Sequence, residues 1–187
     1  MTRRCPLALT GLSLVLAVLI LALPLAAQQY KIADQVGNLR FVAPLFPEDA
    51  QYLGLAKPGP FTLKDLKAPY VLLDVFATTC PHCLMQAPTL NALFQMASQN
   101  PKTKDTLKFV GSGAGDNELK IKAWKQMQQV QFPLLPDPDN KIFNALKLPG
   151  TPVTVILNKD GKVLWSHIGA LENAEATLKE IIKALKL

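Results

Sequence analysis

A buried-strand pattern that leads into two cysteines and then into a helical pattern constrains this fold more than any other feature. Residues Tyr70–Phe76 form a nearly continuous apolar run, interrupted by Asp74, and favour a strand that is covered on both faces. Cys80 and Cys83 follow this run, and apolar residues then recur at intervals of three and four over residues 84–97. That spacing predicts a helix packed on the core. A strand followed so closely by a helix indicates an α/β fold.

The rest of the pattern predicts further strands and helices. Strands are expected at residues 61–63, 107–110, 132–135, 153–157 and 162–168. Helices are expected from residue 116 or 117 to about 129, in a short stretch that ends near 148, and over 171–187; the glycine-rich residues 111–115 should form a loop. The expected fold class is therefore α/β, with a central mixed β-sheet flanked by helices on both faces.

Residues 1–27 have the three-part pattern of a secretory signal. Arg3 and Arg4 are followed by 23 residues without charge, and small residues at 26 and 27 precede a polar stretch. An uncleaved membrane anchor fits the same residues, since about 20 apolar residues are enough to cross a bilayer. Whether the chain is cleaved after Ala27 or anchored, the rest of it would lie outside the inner membrane. We therefore expect a periplasmic or exported protein, either soluble or anchored to the inner membrane.

Residues 28–60 and 61–187 differ in their patterning. The first stretch has prolines at 44, 47, 58 and 60 and no regular period, so we expect an irregular N-terminal extension wrapped on the domain. Residues 61–187 carry the strand and helix patterns and form the predicted domain. The net charge is +6 and the lysines are scattered, which indicates a solvated surface and argues against nucleic acid as a partner.

The two cysteines lie where a helix is expected to begin, and this position predicts their chemistry. The N–H groups and positive dipole of a helix N-terminus stabilise a thiolate at Cys80. Pro81 suits the first helical position, and His82 adds a donor or partial positive charge beside Cys80. Cys83 is one turn further on, close enough to form a disulfide with Cys80. A thiolate beside a second thiol is what disulfide exchange requires, because one attacks and the other resolves the mixed disulfide.

Other uses of a Cys-x-x-Cys motif fit these residues less well. A zinc site needs about four ligands, and outside residues 1–27 the chain adds only His82 and His167 to the cysteine pair, so no metal is expected. A c-type haem needs histidine directly after the second cysteine, where Leu84 stands. A purely structural disulfide would close too small a loop to stabilise the fold much. The sequence holds no cofactor motif, so no cofactor is expected.

With these motifs the chain resembles the thioredoxin superfamily, in particular its exported TlpA/ResA-like (redoxin) branch. Besides the cysteine pair, Asp74 stands where this family has a buried acid, and Pro88 stands at the kink of the active-site helix. Thr151 and Pro152 resemble the threonine and cis-proline that face the disulfide. The resemblance implies a thioredoxin-like fold, an Asp74 carboxyl that accepts a proton from the second cysteine, and a Thr151 backbone presented to a substrate.

The resemblance also implies an enzyme, a protein thiol–disulfide oxidoreductase that acts on exported proteins and is expected to serve there as a reductase, in the manner of its branch. Its expected partners are protein thiols or disulfides, with apocytochrome c, misfolded exported proteins and a membrane electron donor as candidates. Two departures from the branch leave a DsbA-like oxidant as the alternative. The Pro-His dipeptide between the cysteines is typical of such oxidants, and Thr79 replaces the usual tryptophan.

Two further hypotheses come from neighbouring families. A Sco-like copper-binding module would need His167 as a distant ligand to the cysteine pair, whose spacing is shorter than in that family. A peroxiredoxin would need threonine or serine three residues before the reactive cysteine, where Ala77 stands. Trp124 and Trp165 are expected to serve packing rather than recognition.

Overall fold

The computed structural model describes residues 31–187. Its strands are β1 (Arg40–Phe41), β2 (Phe61–Thr62), β3 (Tyr70–Phe76), β4 (Leu107–Ala114), β5 (Leu134–Asp137), β6 (Val153–Asn158) and β7 (Val163–Ile168). Its helices are α1 (Pro47–Leu53), α2 (Pro81–Gln99), α3 (Glu118–Met127), α4 (Lys141–Ala145) and α5 (Ala174–Leu185), with a short 3-10 turn at Leu63–Asp65. Residues 1–30, and with them the predicted signal or anchor, lie outside the described residues.

The central sheet has five strands in the order β5-β4-β3-β6-β7. β3 pairs in parallel with β4 and antiparallel with β6, so the sheet is mixed, as the sequence predicted. Because β3 is the middle strand, all of it except Tyr70 is buried. This position explains why its sequence is apolar throughout rather than alternating.

Alternate residues of β3 belong to two separate cores. Leu72 and Phe76 pack with apolar residues of α2, α3 and α5 on one face of the sheet. Leu73 and Val75 pack on the other face with α4, with β1 and β2, and with buried residues before β1. Helices therefore flank both faces of the sheet, which confirms the predicted fold class.

The loop expected at residues 111–115 is mostly strand, since β4 continues to Ala114. Gly111 and Gly113 stand there because a β-carbon would collide with the side chains of Leu134 and Ile121, respectively. Only Gly115 has a left-handed backbone, with φ of 70°, and it ends the strand. The prediction was wrong because these glycines allow close packing rather than a turn.

The extension before residue 61 is more regular than expected. It contains helix α1, which begins with a proline in its first turn and ends at Gly54 in the left-handed region. β1 pairs with β2 in a separate two-stranded sheet, where the Phe41 and Phe61 rings stack 5.1 Å apart. Phe41 and Leu53 are buried in the core. The extension is thus partly regular where irregular structure was expected, because Pro47 begins a helix instead of marking a loop.

Within residues 31–187, none of the helices is both long enough and apolar enough to cross a membrane.

Candidate active site

The two cysteines lie at the start of α2, directly after the end of β3. Cys80 is the N-cap of the helix, and its sulfur accepts a hydrogen bond from the Cys83 backbone N–H at 3.3 Å. Pro81 occupies the first turn, where its missing N–H costs no helical hydrogen bond. Both cysteines are free thiols; Cys80 is half-buried and Cys83 is only 3% exposed.

The Cys80 thiol is surrounded by hydrogen-bond donors that favour its thiolate. Partial burial raises its pKa, but hydrogen bonds from the Cys83 thiol, from the Thr151 side chain and from the backbone N–H groups of Cys83 and His82 outweigh burial. The net effect holds the pKa of Cys80 below its ordinary value. His82 contributes here through its backbone, while its side chain is exposed to solvent.

The Cys83 thiol is in the opposite situation. Burial against the core, followed by the hydrogen bond with Cys80, raises the pKa of Cys83 to about 12. The pair therefore combines one thiol that ionises more readily than an ordinary cysteine with one that stays protonated near neutral pH.

The segment before β6 faces Cys80. The peptide bond between Thr151 and Pro152 is cis, as the resemblance implied. The Cys80 thiol donates a hydrogen bond to the Thr151 carbonyl oxygen at 3.3 Å. The structure thus brings Thr151 and Pro152, which are 71 residues or more beyond Cys80 in sequence, against the first cysteine.

Asp74 lies on β3, 4% exposed, on the face that α2 covers. Its Oδ1 atom accepts hydrogen bonds from the Gln86 amide at 2.8 Å and from the Thr154 hydroxyl at 3.1 Å. Burial raises the pKa of Asp74 to about 7 despite these two hydrogen bonds. Asp74 and Cys83 line the same narrow internal cavity between the sheet, α2 and α3.

Gln86 is a site residue that the sequence analysis missed. Its side chain is 1% exposed and links Asp74 to the chain before α5, because its Oε1 atom accepts a hydrogen bond from the Leu171 N–H at 2.8 Å. The available signal was a polar residue among Cys83, Ala87 and Leu90 on the buried face of the helix.

Asp116 is a second site residue that the sequence analysis missed, since it predicted only that a helix begins at residue 116 or 117. The cap of α3 is Asn117, whose side chain accepts the Lys120 N–H. Asp116 is 2% exposed and instead accepts hydrogen bonds from the Thr78 N–H at 2.7 Å and from the Thr78 hydroxyl at 2.8 Å. This contact joins the loops that follow β3 and β4.

The remaining predicted residues do not form a metal site. His167 lies on β7, where its Nε2 atom is 3.3 Å from the Ala170 carbonyl and its ring stacks on Trp165. In the described part of the chain, no three histidine, cysteine or acidic side chains cluster closely enough to hold a metal ion. The copper hypothesis therefore gains no ligand set from this geometry.

Apolar side chains are exposed around the cysteines. Leu84 and Met85 in α2 are 50% and 64% exposed, and Ile168 at the end of β7 is 49% exposed. Ile168 also lines an open groove with Gly169 and residues 149–152, beside the cis peptide bond. Exposed apolar side chains and an open groove of this kind are typical of surfaces that contact other proteins.

The chain matches the redoxin family model over residues 42–182. It is similar to the thiol-disulfide oxidoreductase ResA of Bacillus cereus, with 30% identity over 122 residues that cover 64% of this chain and 67% of that protein. The family-model match includes both cysteines, β3 and the strands that surround the site.

Solved structures show the same fold. StoA from Bacillus subtilis superposes with a TM-score of 0.56 at 15% identity, covering 75% of this chain and 95% of that one. A secreted Mycobacterium tuberculosis disulfide oxidoreductase, homologous to Escherichia coli DsbE, gives a TM-score of 0.58 at 20% identity. The match covers 83% of this chain and 100% of that one. The protein belongs to the redoxin family, in the TlpA/ResA-like branch of the thioredoxin superfamily, and is a thiol–disulfide oxidoreductase.

Proposed function

We propose that this protein reduces disulfides in exported proteins, with Cys80 as the nucleophile and Cys83 as the resolving thiol. The observation that supports this assignment most directly is the inequality of the two thiols. Cys80 is accessible and has a lowered pKa, whereas burial raises the pKa of Cys83 to about 12. Attack by the first cysteine and resolution by the second follow from that difference.

The exchange takes place in two steps. The Cys80 thiolate attacks a disulfide in the partner, forms a mixed disulfide and releases the first partner sulfur as a thiolate. Cys83 loses its proton and attacks the Cys80 sulfur, which releases the second partner sulfur. Two electrons pass to the partner, whose thiolates take up protons, and the enzyme is left with a Cys80–Cys83 disulfide.

Asp74 is the proposed proton acceptor for Cys83. The two side chains line the same cavity, and burial raises the pKa of Asp74 to about 7, so the carboxylate can take up a proton near neutral pH. Hydrogen bonds from Gln86 and Thr154 hold the carboxyl in place during the transfer. The proton then leaves to solvent.

Thr151 and Pro152 are proposed to orient the partner, with the exposed apolar surface around Cys80 as its contact area. Pro81 and His82 support the thiolate at the helix start. Partners of this chemistry are unfolded or extended polypeptides with paired cysteines, among which apocytochrome c is a candidate. A membrane electron donor would return the electrons to the Cys80–Cys83 disulfide.

The location we propose is periplasmic or exported. It is supported by the signal-like pattern of residues 1–27 and by the likeness to a secreted oxidoreductase. The domain would be either free after cleavage or held at the inner membrane by that segment.

A DsbA-like oxidant is the second candidate, and one specific observation favours it. The hydrogen bonds to Cys80 stabilise its thiolate and therefore the reduced form, which makes a disulfide more oxidising. The Pro-His dipeptide points in the same direction.

Equilibration of the protein with glutathione buffers, followed by quantification of reduced and oxidised Cys80–Cys83, decides between the two. A reductase is expected near the thioredoxin value of about −270 mV, and an oxidant near the DsbA value of about −120 mV. A potential at the DsbA end would overturn the reductase assignment and leave the oxidoreductase class intact.

A further inference from the structure

The loops that follow β3 and β4 meet beside the active site. The two strands are parallel neighbours, with Phe76 opposite Gly113, so their carboxyl ends lie at the same edge of the sheet. The first loop leads from Phe76 to Cys80, and the second leads from Ala114 to α3. Residues 38 positions apart in sequence are thereby brought into contact next to the thiol.

Asp116 binds this first loop with both of its carboxylate oxygens. Oδ2 accepts the Thr78 backbone N–H at 2.7 Å, and Oδ1 accepts the Thr78 hydroxyl at 2.8 Å. The carboxylate is 2% exposed, and Lys120 lies 3.4 Å from Oδ1 on its solvent side. Hydrogen bonds to a buried carboxylate are charge-assisted and about twice as strong as neutral ones, so Thr78 is firmly held.

Thr78 also lies within the tight backbone turn that leads to Cys80. The Cys80 N–H donates to the Ala77 carbonyl at 3.0 Å, which closes a tight turn around Thr78 and Thr79. The Cys80 sulfur then has to fit between two partners from separate elements, the Cys83 N–H and the Thr151 carbonyl, each at 3.3 Å. Contacts to sulfur at this distance are lost with small displacements, because hydrogen bonds weaken steeply with distance and angle.

We propose that Asp116 is a positioning residue, which fixes Thr78 and through it the placement of the Cys80 sulfur against Cys83 and Thr151. This role rests on the proposed function of Cys80 as the nucleophile. Asp116 touches neither the reacting sulfur nor the partner, and it acts only through the turn. Its loss is expected to weaken the hydrogen bond from the Cys83 N–H, which stabilises the thiolate, and to slow exchange, while the fold is retained.

Two substitutions at Asp116 separate positioning from charge. Asp116→Ala removes both bonds to Thr78. Asp116→Asn can keep both, because its oxygen can accept the Thr78 N–H and its amide can donate to the Thr78 hydroxyl. In the full-length protein, we would follow the ultraviolet absorbance of the thiolate against pH, together with the rate of attack on a small aromatic disulfide.

Asp116→Ala is expected to raise the pKa of Cys80 by about one unit, which leaves about tenfold less thiolate below the pKa. The rate of attack at pH below that pKa should fall in proportion, and Asp116→Asn should restore most of both quantities. A folded Asp116→Ala protein with wild-type pKa and rate would overturn the proposal. So would an Asp116→Asn protein as impaired as the alanine variant, because the charge rather than the geometry would then matter.

Thr78 provides a second pair of variants that does not depend on folding of the alanine protein. Thr78→Val loses the bond from its hydroxyl to Asp116, and Thr78→Ser keeps it with the smaller side chain. If the Cys80 pKa is raised in Thr78→Val but not in Thr78→Ser, the positioning role is supported. If the Cys80 pKa is the same in both variants, the positioning role is contradicted. Failure of Cys80 as the proposed nucleophile would look different, because attack on the aromatic disulfide would then persist in a Cys80→Ser protein, whatever the Asp116 variants show.

Discussion

At the scale of single residues, the two cysteines differ because one caps the helix and the other is one turn inside it. Cys80 receives N–H groups at the helix start, whereas Cys83 is packed against Phe76 and Leu90 in the core. The same short motif therefore produces two unlike thiols, because their positions in the helix give them different burial and different hydrogen bonds.

Substitution of the cysteines one at a time tests this order. Cys83→Ser should accumulate a mixed disulfide between Cys80 and a partner, because attack can occur but resolution cannot. Cys80→Ser should form no such adduct, since the remaining thiol is buried and its pKa is about 12. Intact-mass spectrometry after incubation with a disulfide-containing peptide measures both. An adduct at Cys83 in the Cys80→Ser protein would contradict the assignment.

The raised pKa of Asp74 should make the stability of the protein depend on pH. Its pKa rises on folding from an ordinary value near 4 to about 7, so the folded protein holds this proton more tightly than the unfolded chain. The resulting penalty on the folded state is absent below about pH 4, grows as pH rises towards 7, and is then constant.

Asp74→Asn removes that penalty. The gain in free energy of unfolding relative to wild type should therefore be larger at pH 8 than at pH 4, as measured by urea unfolding at both values. Asp105→Asn, at an exposed position, serves as the control and should show no such trend. If the gain from Asp74→Asn were the same at both pH values, the carboxyl would not be protonated in the folded protein near neutral pH.

At the scale of elements, the sequence predicted the strand and helix that carry the site, because a continuous apolar run is followed directly by apolar residues at helical spacing. It placed β5 two residues early, at 132–135 instead of Leu134–Asp137, since Phe132 is as buried as the strand that follows it. Asp74 was found because a carboxyl in an apolar strand is conspicuous. Asp116 and Gln86 were not, because their roles arise from contacts 38 and 12 residues away in sequence.

The glycines of β4 provide a test at this scale. Gly113→Ala should destabilise the protein by about 1–3 kcal/mol, because the new methyl group would overlap the Ile121 side chain that packs α3 on the sheet. Gly150→Ala is the matched control, with nothing within 4 Å of the added carbon, and should change stability by less than about 0.5 kcal/mol. Denaturant unfolding of both variants measures the difference, and equal stabilities would show that β4 does not need glycine at this position.

At the scale of the whole molecule, the segment before residue 61 and the redox domain share one core. Ile32, Leu39, Phe41 and Leu53 are buried against the face of the sheet opposite α2, and the Asp34 carbonyl and the Val36 N–H bond to the backbone around Lys162. We infer that this segment unfolds together with the rest of the domain rather than separately.

Phe41→Ala measures how strongly the two parts are joined. Loss of the buried ring and its stack on Phe61 should cost about 3–5 kcal/mol in a single cooperative transition. Val42→Ala, at a side chain that is 42% exposed, should cost far less. A first transition confined to the segment before residue 61, with the redox domain as stable as in the wild type, would contradict a shared core.

The alternation of β3 between two cores sets what changes of length the active site can tolerate. Leu72, Asp74 and Phe76 face α2, while Leu73 and Val75 face the opposite layer. One residue deleted before Asp74 would move the residues after it to the opposite faces, turning the carboxyl away from the cysteines and bringing Val75 to its place. A substitution in β3 thus changes one side chain, whereas insertion or deletion of one residue moves a whole set of side chains to the wrong face. Only insertion or deletion of two residues keeps the carboxyl on the face of the cysteines.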